Sequence, residues 1–207
     1  MVLLAIGAVS IGRSKTSGEL PYAAIPVIFA IQQLVEGGLW LDLQGNPATA
    51  HLLTIIYLLF SNVLWPVYVP LAVRLIETSP ARRRALAYPL AVGVAIGLFF
   101  LYNITTNPVS AAIEGAHIRY NLPHRHHDLV FSVYALATCF APLLSSHRTV
   151  RWLGVAIIVS MIGSYAAYAL WFASVWCFFA AMTSAVVLLH FSSLRAPATG
   201  DAPARSA

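Results

Sequence analysis

The chain has 207 residues, of which 59% are hydrophobic and only 9% charged, with a formal net charge of +5. An ordinary soluble domain carries about 25% charged residues, so composition excludes that class. The positive balance is nearly all arginine, since Lys15 is the only lysine, and the arginines fall in short clusters between apolar runs. That distribution fits a membrane-orientation signal and argues against a nucleic-acid partner.

In chain order, residues 1–12 are apolar but make a helix of only about 18 Å, against a hydrocarbon core of roughly 30 Å. This reads as a half-span or, preferably, as a chain recorded from partway into a first helix. It has neither the basic start nor the small-residue cleavage site of a signal peptide. Residues 20–41 (LPYAAIPVIFAIQQLVEGGLWL) form a second predicted span, and the Gly-, Asn- and Pro-containing residues 42–50 a turn. The third span is 51–75, which Pro66 and Pro70 are expected to kink or cut short. Residues 74–84 make the most basic loop. The fourth span, 85–102, holds a Gly93-x-x-x-Gly97 spacing that admits a second helix at close range. Spans 128–145, 150–172 and 174–190 follow. The tail, 192–207, is rich in Ala, Pro, Ser and Arg and is expected to be disordered. Cys139 and Cys177 fall in different apolar runs at different depths, which predicts two free buried thiols.

Loops one, three and five and the tail all carry arginine or lysine, whereas loops two and six carry none. By the positive-inside rule this predicts an all-α seven-helix transmembrane bundle over residues 1–191, N-terminus outside and C-terminus cytoplasmic. Loop four (103–127) is too long for a tight connection. Its alternation on either side of Gly115-Ala116 predicts an exoplasmic β-hairpin cap with a type II′ turn. Glu114 should then face His117, Ala112 face Arg119, and Ser110 face Asn121.

The second span carries Gln32, Gln33, Glu36 and Trp40, whose spacing places them close together on a helix. A carboxylate within a hydrocarbon span costs at least about 2.5 kcal/mol and persists when it faces protein or water. Glu36 is expected about 8 Å below the outer helix end, beneath the cap. A ligand pocket of Gln32, Gln33, Glu36, Trp40, Asn62, His117, Tyr120 and Tyr168 is therefore predicted. A divalent metal such as zinc has candidate ligands in Glu36, His117, His124 and His127. Each has a plainer reading: interhelical hydrogen bonding for Glu36 and the glutamines, and an interfacial helix start for the His-Arg-His-His-Asp run. No catalytic residue is assigned and oligomeric state is left open. The last span lacks the lysine that a retinal protein needs, and His51 and His190 lie at opposite faces, which argues against a spanning haem.

The segments QQLVEGGLWL, FSNVLWPVYVPLAV and HIRYNLPH resemble an uncharacterised bacterial family of small polytopic membrane proteins. The resemblance implies a multi-pass cell-membrane protein and no known activity. Longer members begin with a Met-Cys-Phe-Ser segment upstream. Three functions are expected in order: an outward-facing pocket around Glu36 that binds a small ligand or metal ion, a membrane-embedded metal-dependent hydrolase, and a proton-coupled carrier.

Overall fold

The computed structural model describes residues 1–193. The predicted disordered tail lies outside the described residues from 194 onward, while residues 192 and 193 continue the last helix. The elements are α1 (Val2–Arg13), α2 (Leu20–Asp42), α3 (Pro47–Ile76), α4 (Pro80–Thr106), β1 (Ser110–Glu114), β2 (His117–Asn121), α5 (His127–Leu143), α6 (Arg148–Tyr168) and α7 (172–193, with a turn at Ser184-Ala185). Five of these, α2, α3, α4, α6 and α7, are long and apolar enough to cross a membrane; α1 and α5 are shorter.

Several boundaries differ from the sequence expectation, for local reasons. Helix α3 begins at Pro47, not residue 51, because the Asn46 side chain accepts from the Ala48 and Thr49 amides and Pro47 suits the first helical position. Helix α4 begins at Pro80, so Arg82, Arg83 and Arg84 are helical and not loop residues. It runs on to Thr106, with the Thr105 and Thr106 hydroxyls bonded back to carbonyls one turn earlier. Between α6 and α7 stands only a three-residue 3-10 turn, Ala169–Trp171.

Pro66 and Pro70 do not end α3. Leu59–Leu64 widens into a π turn just before Pro66. In that geometry the Ser61 carbonyl would look five residues ahead to Pro66, which has no N–H. The Tyr134 hydroxyl donates to it instead, at 2.6 Å. The same stretch is where α4 comes closest: a Cβ on Gly93 would lie 1.8 Å from the Pro66 carbonyl oxygen, and one on Gly97 3.2 Å from that of Val63. The predicted glycine pair thus receives the proline-bearing segment of α3.

Helices adjacent in sequence pack as neighbours from α1 to α7, and α7 closes the bundle against α1 and α2. Helix α3 also meets α5 across the middle. The core is aromatic and aliphatic, with Phe29 stacked on Trp65 at 3.8 Å. Cys139 and Cys177 are both free and buried.

At the end where the arginine-bearing turns gather, Glu77 is the hub. Its carboxylate accepts from the Ser79 amide at 2.9 Å, the Ser146 amide at 2.7 Å and hydroxyl at 2.5 Å, and the Ser145 hydroxyl at 3.0 Å. Arg82 and Arg151 donate to carbonyls of the same α5–α6 turn, and His147 Nε2 lies 3.0 Å from the Ile76 carbonyl. Arg13 donates to the Ser192 hydroxyl, joining α1 to α7. At the other end the hairpin forms in the predicted register, Glu114 opposite His117 and Ser110 opposite Asn121. Gly115 has φ +64° and Ala116 has no positive φ, so the turn is II′ and not I′. Ile118 is fully buried against Leu39 and Ala50, which seats the hairpin on α2 and α3.

Gly93→Ala is expected to lower the thermal midpoint of the purified protein by the equivalent of about 1–3 kcal/mol. Gly163→Ala, whose Cβ meets nothing within 4 Å, should leave it unchanged or slightly raised. Burial alone would raise the Glu77 carboxyl, but its hydrogen-bond donors outweigh that and hold it down at about 2. This is below the roughly 4.3 of a free glutamate. The carboxylate therefore stabilises the fold above that value and loses the effect as pH falls toward 2. Glu77→Gln should lower the midpoint at pH 7 and flatten its pH dependence between about 4 and 2; an unchanged slope would remove Glu77 as the acid-sensitive group.

Candidate functional site

Beneath the hairpin, α2 and α7 part to leave a cavity of about 420 Å³, within the usual range of small-ligand sites. Helix α2 contributes Gln33, Glu36, Gly37 and Trp40, whose spacing of three, one and three residues puts them on one face. Helix α7 contributes Ser174, Val175, Phe178 and Phe179, and the hairpin closes the top with Ala116 and His117. Trp40, Phe178 and Phe179 are exposed at the outer surface of the bundle, so the cavity has an open flank between the two helices.

Glu36 is buried, with 6% exposure. The Tyr120 hydroxyl donates to one carboxylate oxygen at 3.2 Å and the Gln33 amide to the other at 3.4 Å. Ser174 and Tyr57 are further hydrogen-bonding neighbours. The ring of Tyr120 stacks on that of Tyr57, centroids 4.3 Å apart and planes 2° from parallel. Tyr57 in turn donates to the Ala173 carbonyl at 3.2 Å. The carboxylate is thereby bound into a chain that crosses α2, β2, α3 and α7. Burial and the neighbouring carboxylate push the Tyr120 phenol upward, so it remains the donor of this pair.

A second cavity, of about 370 Å³, lies on the other side of Tyr120. Its polar rim is Asn62, Asn121, His124, His127 and Asp128, over a floor that includes Phe100, Phe172 and Trp176. His124 Nδ1 sits 2.8 Å from the Leu122 carbonyl, and its ring is 4.1 Å from that of His127. Burial, with His127 beside it, lowers the His124 imidazole below its ordinary value against the opposing backbone bond. His126, between them, holds a left-handed backbone at φ 59°, which turns the chain into α5.

The predicted pocket residues thus divide. Gln33, Glu36, Trp40 and His117 line the first cavity; Asn62 lines the second; Tyr120 touches Glu36 and faces the second. Gln32 turns inward, fully buried, and accepts from Trp65 Nε1 at 2.6 Å. Tyr168 closes α6, and its side chain lies outside the described residues. Of the four candidate metal ligands, Glu36 and His117 share one cavity while His124 and His127 share the other. Among the described residues no three His, Cys, Asp or Glu side chains converge on one point. The His117 ring lies 5.2 Å from that of Trp171. The sequence reading missed Tyr57, Ser174 and Glu77. Tyr57 reads as one more core aromatic, and Ser174 reaches Glu36 only because α7 closes against α2.

The chain matches the group described as a family of unknown function (DUF6629) over residues 1–202, and it belongs to that family. No curated protein and no solved structure matches it.

Tyr120→Phe should release one donor from a buried carboxylate, a loss on the order of 1–3 kcal/mol. The expected readout is faster hydrogen exchange at the β1 and β2 amides with the helical amides unaffected. Equal exchange in both proteins would show that the hairpin is held by its apolar face alone.

Proposed function

We propose that this family member is a cell-membrane protein of seven helices, N-terminus outside and C-terminus cytoplasmic, whose cavity around Glu36 opens outward and binds a small ligand. The observation that carries this is the placement of Glu36: buried in an apolar helix, yet lining a cavity that also presents Gln33, His117 and Ser174. A carboxylate at that depth is costly in lipid and is retained where it has a polar task. Arg13, Arg82 and Arg151 gather at the end opposite the hairpin, against Arg119 and Arg125 at the hairpin end, and this excess supports the orientation through the positive-inside rule. The bacterial plasma membrane is the matching location. The hydrolase reading needs Glu36, as base or ligand, beside an ion held by His124 and His127, and the division of these residues between two cavities favours the binding reading over it. A carrier needs a route from Glu36 to the opposite end, where the Glu77 network draws the turns together.

The test is cysteine accessibility in a background carrying Cys139→Ala and Cys177→Ala. Ser174→Cys, in the cavity, is expected to react with a charged, membrane-impermeant methanethiosulfonate added to intact cells. Ser79→Cys, at the opposite end, should react only after permeabilisation. A silent Ser174→Cys beside a reactive Ala112→Cys on the outer hairpin face would show a closed cavity. The reverse labelling pattern would overturn the orientation.

A further inference from the structure

The partners that hold Glu36 have one property in common. Tyr120, Gln33, Ser174 and Tyr57 are all uncharged. Two of them, the Tyr120 hydroxyl and the Gln33 amide, direct hydrogens at its oxygens, as an ionised carboxylate accepts. The charge of that carboxylate is solvated by dipoles with no cationic side chain among those four. Elsewhere among the described residues the carboxylate–arginine pair formed is Glu114 with Arg119, at 3.1 Å on the exposed hairpin. The rest of the cavity wall is Gly37, Ala116, Val175, the His117 imidazole at the hairpin edge, and three aromatic rings: Trp40 one turn along α2 from Glu36, and Phe178 one turn along α7 from Ser174, with Phe179 beside it. Aromatic faces attract a cation through their quadrupole, by about 0.5–2 kcal/mol each according to desolvation. They offer no such gain to an anion, and they supply no lone pairs for a bare divalent ion, which takes several oxygen or nitrogen ligands.

We propose that the cavity around Glu36 takes an alkylammonium group, its charge against the carboxylate and its methyl or methylene surface against Trp40, Phe178 and Phe179. The inference rests on the binding reading above and names the ligand class for the same cavity. The open flank between α2 and α7 admits such a group either on a free solute or as the headgroup of a lipid; both present the same chemistry.

The experiment uses the full chain purified in maltoside, with choline, its uncharged isostere 3,3-dimethyl-1-butanol, and zinc ion as separate titrants, followed by calorimetry. Choline is expected to bind saturably, the isostere at least about 30-fold more weakly, and zinc without dependence on Glu36. Glu36→Gln, checked for fold by circular dichroism, should weaken choline at least tenfold. Trp40→Leu, which keeps apolar volume but removes the π face, should weaken it about three- to tenfold and remains informative if the Glu36 variant does not fold. Lysophosphatidylcholine displacing choline at tenfold lower concentration assigns the group to a lipid; failure to displace assigns it to a solute. The proposal is overturned by an isostere that binds within threefold of choline, by Glu36→Gln that binds choline as the wild type does, by Glu36-dependent zinc binding that excludes choline, or by no choline binding up to about 50 mM. In each of these cases a reactive Ser174→Cys leaves the open cavity standing, and a silent one removes both.

Discussion

An apolar helix can bury a carboxylate only where the protein supplies what water would have supplied, and Glu36 shows how this bundle meets that constraint. The hydrogens come from a strand, from its own helix and from α7. The hairpin is therefore more than a cover. Its Tyr120 reaches down to the carboxylate while Ile118, two residues away on the same face, is fully buried on Leu39 and Ala50. One face of a five-residue strand gives both the apolar seat and the polar contact, because side chains alternate with period two. Gly115 makes this register possible by taking the positive φ that a two-residue II′ turn asks of its first residue.

The same requirement explains the middle of α3. A proline in a spanning helix frees a carbonyl, and that carbonyl must find a donor. Here the π turn at Leu59–Leu64 places the Ser61 oxygen toward α5, where the Tyr134 hydroxyl completes it. The Pro66 carbonyl faces Gly93, at a distance that only a residue without a side chain tolerates. Two helices are thus keyed to α3 by the consequences of one proline, one through a hydrogen bond and one through the absence of a Cβ.

What was legible beforehand follows from the range of each signal. Apolar length, the glycine pair at 93 and 97, and the strand alternation around Gly115 are local properties, and the seven helices, helix approach and hairpin register could be read from them. The predicted span 128–145, by contrast, is a helix too short to count among the five candidate spans. Starts and stops were misjudged where local chemistry decides them: the Asn46 cap before Pro47, and Pro80 at a first helical position, draw into helices residues that look like loop. Glu36 stood out because a charge inside an apolar run is anomalous in itself. Glu77 did not, since a glutamate near Arg74 and Arg82 looks like an ordinary solvated charge until Ser145 and Ser146 arrive from a turn nearly seventy residues away. The division of Gln32 from Gln33 was equally hidden, for adjacent helical residues point about 100° apart, and only the position of Trp65 tells which one faces the core.

The Glu77 cluster has a mechanical meaning of its own. Its donors come from the α3–α4 and the α5–α6 turns, and Arg13 adds a stitch between α1 and α7. Most helices of the bundle are therefore fastened together at that extremity, whereas at the hairpin extremity α2 and α7 meet around a cavity. The two ends differ in kind: one is drawn tight around a single carboxylate and its serines, and the other closes over a hollow with the hairpin and Glu36 between α2 and α7.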